Sequence, residues 1–227
     1  LTFTPTNWDS EQTVTVTGID DALVDGSINT TVTVSIVDDS SENYFDDVED
    51  QIVTVSTTDN EQAGFTLSKT TATVAETGTT DTFTVVLDAQ PDGNVTFSVI
   101  SSDLGEVTVS PATLTFTNVN WNTPQTVTVT GVNDDLVDGD IQTTVTVSII
   151  DESTEENYIN IADQSVTVTT TDNDVAGFTL SKTTATVTEA GTIDTFTVVL
   201  TAQPPDSDVV LSVVSSDTDE VTVSPAT

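Results

Sequence analysis

Cysteine, histidine, methionine and arginine are all missing from this 227-residue chain, and lysine occurs only twice. Without cysteine there is no disulfide framework, and without cysteine, histidine or methionine there is no soft ligand for a transition metal. Against the two lysines stand 38 Asp and Glu, a formal charge of -36. Phosphate recognition needs a basic surface, so nucleic acid is excluded as a partner, and an anionic membrane is disfavoured. No apolar run approaches the 18 residues that a membrane-spanning helix needs, so membrane insertion is not expected. Catalysis has little to work with. Carboxylate pairs are the only acid–base groups, and an aromatic content of 5% does not line a glycosidase cleft, so the chain does not read as an enzyme.

What is present is alternation. Hydrophobic residues make up 35% of the chain and are mostly Val and Ile at every second position, with Thr between them. Such a pattern buries one face of a strand and wets the other. The chain also repeats itself. Leu1-Thr2-Phe3-Thr4 recurs at Leu114-Thr115-Phe116-Thr117, Trp8 at Trp121 and Gly18 at Gly131, a spacing of 113 residues (114 minus 1). That exceeds the common solenoid periods and matches one sandwich domain.

Strands are expected at residues 64–76 with a jog near Lys69, at 82–87, 95–100, 107–116 with a jog at Pro111, 126–130, 144–150 and 165–171. The fold class is therefore all-β, a tandem of seven-stranded antiparallel sandwiches forming a rod or filament. Residues 63–174 form one complete repeat, 1–62 the C-terminal part of a preceding repeat and 175–227 the N-terminal part of a following one. The two partial repeats are complementary. Strands ending at Thr227 are expected to be completed by strands equivalent to those beginning at Leu1, through a covalent array or through another subunit by strand complementation.

Alternating strand direction sends successive loops to opposite ends of the sandwich. One end then collects residues 76–81, 103–106, 133–140 and 172–174, all acidic. Within 134–140 alone, Asp134, Asp135, Asp138 and Asp140 crowd four carboxylates into a hairpin. No cation of the chain is available to offset them, and a hard divalent ion with oxygen ligands is the natural partner. Calcium takes six to eight oxygens, more than one loop supplies, so several loops must converge. The acidic stretch 151–163 falls at the other end, where it reads as solvated loop or as a face toward the neighbouring repeat. The bland alternative for all of these acids is a solubilising surface. Trp8 and Trp121 read as plugs at the base of the sandwich. Lys69 and Lys182 stand at the same place in each repeat, which raises an intramolecular Lys–Asn crosslink, although Ser-Lys-Thr-Thr at a jog reads as exposed.

A Glu ending the first strand (Glu76, Glu189), an Asp after the third (Asp103, Asp217), the hairpin Asp134-Asp135-Leu136-Val137-Asp138 and the closing Asp172-Asn173-Asp174 together resemble the Calx-β domain. That resemblance implies an Ig-like seven-stranded sandwich with calcium clustered at one tip, in tandem arrays of large bacterial surface proteins. The implied ligand set is Glu76, Asp103, Asp134, Asp135, Asp138, Asp140, Asp172 and Asp174. Their counterparts in the partial repeats are Asp20, Asp21, Asp25, Asp59 and Glu61 on one side, and Glu189 and Asp217 on the other. Asn133 and Asn173 stand where that family commonly has an acid. The function so implied is a calcium-stiffened extracellular or cell-surface stalk whose partners are neighbouring copies of the repeat. The alternative is an adhesin module that binds a glycan or surface ligand.

Overall fold

The computed structural model describes residues 1–225; Thr227, where the expected continuation falls, lies outside them. Thirteen strands occur among these residues: β1 (Ile28–Val34), β2 (Gln51–Thr57), β3 (Phe65–Leu67), β4 (Thr71–Ala75), β5 (Thr80–Leu87), β6 (Val95–Ser101), β7 (Val107–Ser110), β8 (Thr113–Phe116), β9 (Gln125–Gly131), β10 (Ile141–Ile149), β11 (Gln164–Thr171), β12 (Phe178–Leu180) and β13 (Val198–Leu200). The central nine make a sandwich. One sheet has the order β3-β5-β9-β7 and the other β4-β11-β10-β6-β8, while β1-β2 and β12-β13 are separate pairs. None of the described helices is long and apolar enough to cross a membrane.

The expected jogs are the places where the chain changes sheets. Between β3 and β4 it leaves the four-stranded sheet at Lys69, and between β7 and β8 it crosses at Pro111, which has no N–H to give to a ladder. Lys69 Nζ donates to Asp81 Oδ1 at 2.5 Å, and the Thr73 N–H donates to Asp81 Oδ2 at 3.3 Å. This bond from Lys69 holds the Asp81 carboxyl below the usual range. The lysine thus has a carboxylate partner rather than an asparagine, and it ties the crossover to the start of β5. Lys182 repeats the arrangement with Asp194.

One pairing departs from the expected antiparallel order, because β4 runs parallel to β11. Directions alternate along the chain, so the first and the seventh runs point the same way; once the first has switched sheets, it lies beside the last in the same sense.

The alternating burial follows the pleat. In β9, Val127 and Val129 are buried while the threonines between them are not. Phe97 joins the two halves of the core, edge-on to Phe65 at 4.8 Å and to Phe116 at 5.9 Å between ring centroids. Each fully buried Val or Phe stabilises the fold by roughly 1.5–3 kcal/mol before entropy is counted. Trp121 packs against this core, as a plug should, but Trp8 is 71% exposed.

Residues 151–163 are more than solvated loop. They carry two short 3₁₀ turns, and Tyr158 is fully buried with its hydroxyl donating to Ala89 O at 2.6 Å. Burial, with Glu155 nearby, pushes the phenol up to about 12. Glu155 Oε2 accepts from the Asp92 and Gly93 N–H groups, and Asn157 Nδ2 donates to Val24 O of the preceding repeat. Tyr158→Phe leaves the buried Ala89 carbonyl without its donor and should cost about 1–2 kcal/mol in urea denaturation. Asp151→Asn, at an exposed position, should stay within about 0.5 kcal/mol.

In the flanking repeats fewer strands form than expected. Residues 13–17 match β9 in sequence but are not in a ladder, because β9 is built between β5 and β7 and nothing in the described chain flanks 13–17 that way. Strands need partners. The same holds for residues 209–215, the match to β6.

Candidate metal centre

The acidic end of the central sandwich is built by the ends of β4, β9 and β11, the start of β7 and the hairpin between β9 and β10. Gly131 closes β9 where a Cβ would meet Ala75 O at 2.2 Å, so only glycine lets the two sheets come together beneath the hairpin. The hairpin then turns through Gly139, whose φ of +77° suits glycine, and the Gly139 N–H donates to Asp172 Oδ2 at 2.8 Å. Asp134 Oδ1 accepts from the Leu136 N–H at 2.7 Å, and Asp172 Oδ1 accepts from the Asp174 N–H at 2.6 Å. Each carboxylate is therefore oriented by backbone donors while keeping lone pairs to spare.

Two groups of three carboxylates result. Glu76, Asp172 and Asp174 form one; Glu106, Asp134 and Asp138 form the other; in each, one oxygen per residue lies within 4.8 Å of the others. Oxygens that share one calcium at about 2.3–2.6 Å lie up to about 5 Å apart, so both groups have the right span. Glu76 and Glu106 are buried, 1% and 7% exposed. Asn173 donates to Glu76 Oε2 with its backbone N–H at 3.2 Å and its Nδ2 at 3.0 Å, and the second of these bonds an acid at that position could not make. The same Nδ2 also donates to Asn133 Oδ1, so the two asparagines work together. Glu106 Oε2 and Asp138 Oδ1, by contrast, are buried without a hydrogen-bond partner. A buried carboxylate oxygen with no donor is costly.

The charges confirm the crowding. Burial, followed by the charges of Asp172, Asp134 and Asp138, raises the Glu76 carboxyl above its ordinary range even though the Asn173 N–H pulls the other way. Burial, then Asp138, Asp134, Glu76 and Asp103, raises Glu106. Asp174 is raised by desolvation and then by Asp172, Asp135 and Asp134. All three bind protons more readily folded than unfolded, so their ionisation destabilises the cation-free fold. In chelator, stability should therefore rise as pH falls from 7 toward the ordinary glutamate value of 4.5. With excess calcium the trend should reverse, because protons then compete with the ion. Paired melts across that window read both signs.

Of the eight residues expected to ligate, five are gathered into the two groups. Asp103 instead accepts from the Gly105 N–H at 2.8 Å, and Asp140 accepts from the Asp172 N–H at 3.3 Å. Asp135 lies close enough to raise Asp174 but joins neither group. Glu106 was not among the expected ligands. Its signal was present, since an acid immediately before the alternating run of β7 recurs as Glu220 before Val221. In the preceding repeat, Asp59 Oδ2 accepts from the Asp25 and Gly26 N–H groups, and Asp21 Oδ1 accepts from the Leu23 N–H. Desolvation, then Asp59 and Asp20, raises Glu61. Asp217 caps the Asp219 N–H, and Glu189 is exposed. None of these seven forms a three-carboxylate group among the described residues.

The hairpin has a second role. Leu136 bridges Gln203 of the next repeat, with the Val137 N–H donating to Gln203 O at 3.1 Å and the Gln203 N–H donating to Asp135 O at 2.7 Å. Leu23 and Gln90 make the same joint one repeat earlier, where the bonds measure 3.0 and 2.8 Å. The signal in sequence was the apolar Leu within an acidic loop and the recurrence of Ala89-Gln90-Pro91 as Ala202-Gln203-Pro204.

No family model matches the chain, and no curated protein matches it. Solved structures do resemble it. The E. coli chaperone DraB shares 12% identity at a TM-score of 0.38, over 51% of this chain and 58% of that one. The surface layer protein SbsC, domains 1–6, shares 20% identity at 0.35, over 57% of this chain and 16% of that one. The Salmonella enterica SafA pilin in complex with the SafB chaperone shares 12% at 0.35, over 51% and 57%.

Proposed function

We propose that the chain is a calcium-binding structural repeat of an extracellular or cell-surface rod, in which the ion stiffens the joints between successive seven-stranded sandwiches. The observation that carries this reading is the pair of buried oxygens, Glu106 Oε2 and Asp138 Oδ1, left without a donor inside a carboxylate group of calcium span. Glu106, Asp134 and Asp138 would hold one ion, and Glu76, Asp172 and Asp174 another, with backbone carbonyls and water filling each shell. Millimolar calcium outside cells suits sites assembled from a few carboxylates. The Calx-β resemblance implies the same ion at the same end.

Stiffening follows from where the ligands sit. Asp134 and Asp138 bracket Asp135 and Val137, whose backbone groups hold Gln203 of the next repeat. Asp172 and Asp174 lie on the chain as it leaves β11 for β12. An ion bound at both groups would fix the hairpin and the exit together, removing the freedom to hinge. Small-angle scattering of the 227-residue protein should give a longer maximum dimension in calcium than in chelator at equal ionic strength. Equal dimensions would reduce calcium to a stabiliser of the single sandwich.

A further inference from the structure

The two carboxylate groups are not equally open to an ion. In one, Glu106 Oε2 and Asp138 Oδ1 are buried without a donor; no buried side-chain oxygen of Glu76, Asp172 or Asp174 is left so among the described residues. One side chain accounts for much of the contrast. Asn173 Nδ2 donates to Glu76 Oε2 at 3.0 Å and to Asn133 Oδ1 at 3.2 Å, while the Asn173 N–H donates to the same Glu76 oxygen. Asn133 Nδ2 donates in turn to Asp134 O at 2.8 Å. N–H groups therefore stand at Glu76 Oε2 where a cation would make its contact. They are held there by a relay of two amides that ends on the backbone of an aspartate in the other group.

We propose that the Asn173–Asn133 pair gates the Glu76 group, so that the two groups fill in order and the Glu106 group fills first. The order rests on the calcium reading above. An ion among Glu106, Asp134 and Asp138 covers oxygens that have nothing to lose. An ion approaching Glu76 meets the positive end of the Asn173 amide instead. To admit it the amide must turn until Oδ1 faces inward, where it can serve as a ligand, since calcium accepts amide oxygens as well as carboxylates. That turn breaks the Nδ2 bond to Glu76 and takes from Asn133 Oδ1 its donor, and an Asn133 amide that turns to compensate gives up Asp134 O. Hydrogen bonds given up at one site, and orphaned oxygens relieved at the other, should separate the two dissociation constants by about tenfold or more.

Asn173 is in this account a positioning residue, and two substitutions separate gating from a structural role. Asn173→Asp removes the Nδ2 donor and adds a charge. Asn133→Ala leaves the charge unchanged and removes only the acceptor that helps to hold the amide outward. Both positions are exposed, so the fold should tolerate either change.

The experiment is a calorimetric titration of calcium into the calcium-free 227-residue protein at fixed ionic strength. The unsubstituted protein should show a tight and a weak phase about tenfold or more apart, and Glu106→Gln should remove the tight one alone. Asn173→Asp should tighten the weak phase by about tenfold and lower the melting temperature in chelator, and Asn133→Ala should tighten the weak phase by roughly threefold. A structural role for the pair would loosen binding in both variants. Two phases of equal affinity, or loss of the weak phase in Glu106→Gln, would overturn the order while leaving calcium in place. Tightening by Asn173→Asp without any by Asn133→Ala would reduce the effect to charge and overturn the gate. No calcium binding in any of the proteins would overturn the order together with the reading beneath it.

Discussion

Raising calcium from zero to about 10 mM should increase the melting temperature of the central sandwich by on the order of 10–20 °C. The arithmetic starts from the two carboxylate groups at its acidic end. With dissociation constants of about 0.1–1 mM, each site contributes roughly 1.4–2.7 kcal/mol through mass action. Two sites give about 3–5 kcal/mol, and for a unit of about 100 residues each kcal/mol moves the midpoint by roughly 4 °C. The comparison must hold ionic strength fixed, because a chain of charge -36 gains from any salt. Melts that coincide in calcium and in chelator would leave the acids as a solubilising surface.

Glu106→Gln should act with opposite signs in the two conditions. In chelator it removes a buried carboxylate that burial and the charges of Asp138 and Asp134 already disfavour, so the cation-free protein should become more stable. In calcium it removes a ligand, and about 1.4–2.7 kcal/mol of the calcium-dependent gain should vanish while the share from Glu76, Asp172 and Asp174 remains. Asp172→Asn with Asp174→Asn should remove the complementary share. A surface acid would show neither sign change. Equal loss in both conditions would mark Glu106 as a packing residue instead.

The sequence shows the sheet changes and the sorting of acids more clearly than it shows which acids meet. Lys69 and Pro111 mark the crossovers because a jog in an alternating run and a residue without an N–H each have a direct structural consequence. Alternating strand direction was enough to bring Glu76, Asp134, Asp138, Asp172 and Asp174 to one end. It could not separate these five from Asp103 and Asp140, whose carboxylates fall outside both three-carboxylate groups, since that depends on local turn geometry. Glu106 escaped for the opposite reason: it precedes a strand and reads as part of a loop, while burial is what gives it its role. The parallel partner of β4 and the buried Tyr158 under an acidic loop likewise depend on tertiary contacts that no local pattern encodes. The missing ladders at residues 13–17 and 209–215 have the same origin, because a strand pattern becomes a strand only beside a partner.

Anomalous diffraction from crystals of the 227-residue protein grown in calcium tests the central claim most directly. The account predicts two peaks at the acidic end, one among Glu106, Asp134 and Asp138 and one among Glu76, Asp172 and Asp174, each with six to eight oxygens at about 2.3–2.6 Å. A map with no peak at either group in saturating calcium, the carboxylates bound only to water, would contradict it.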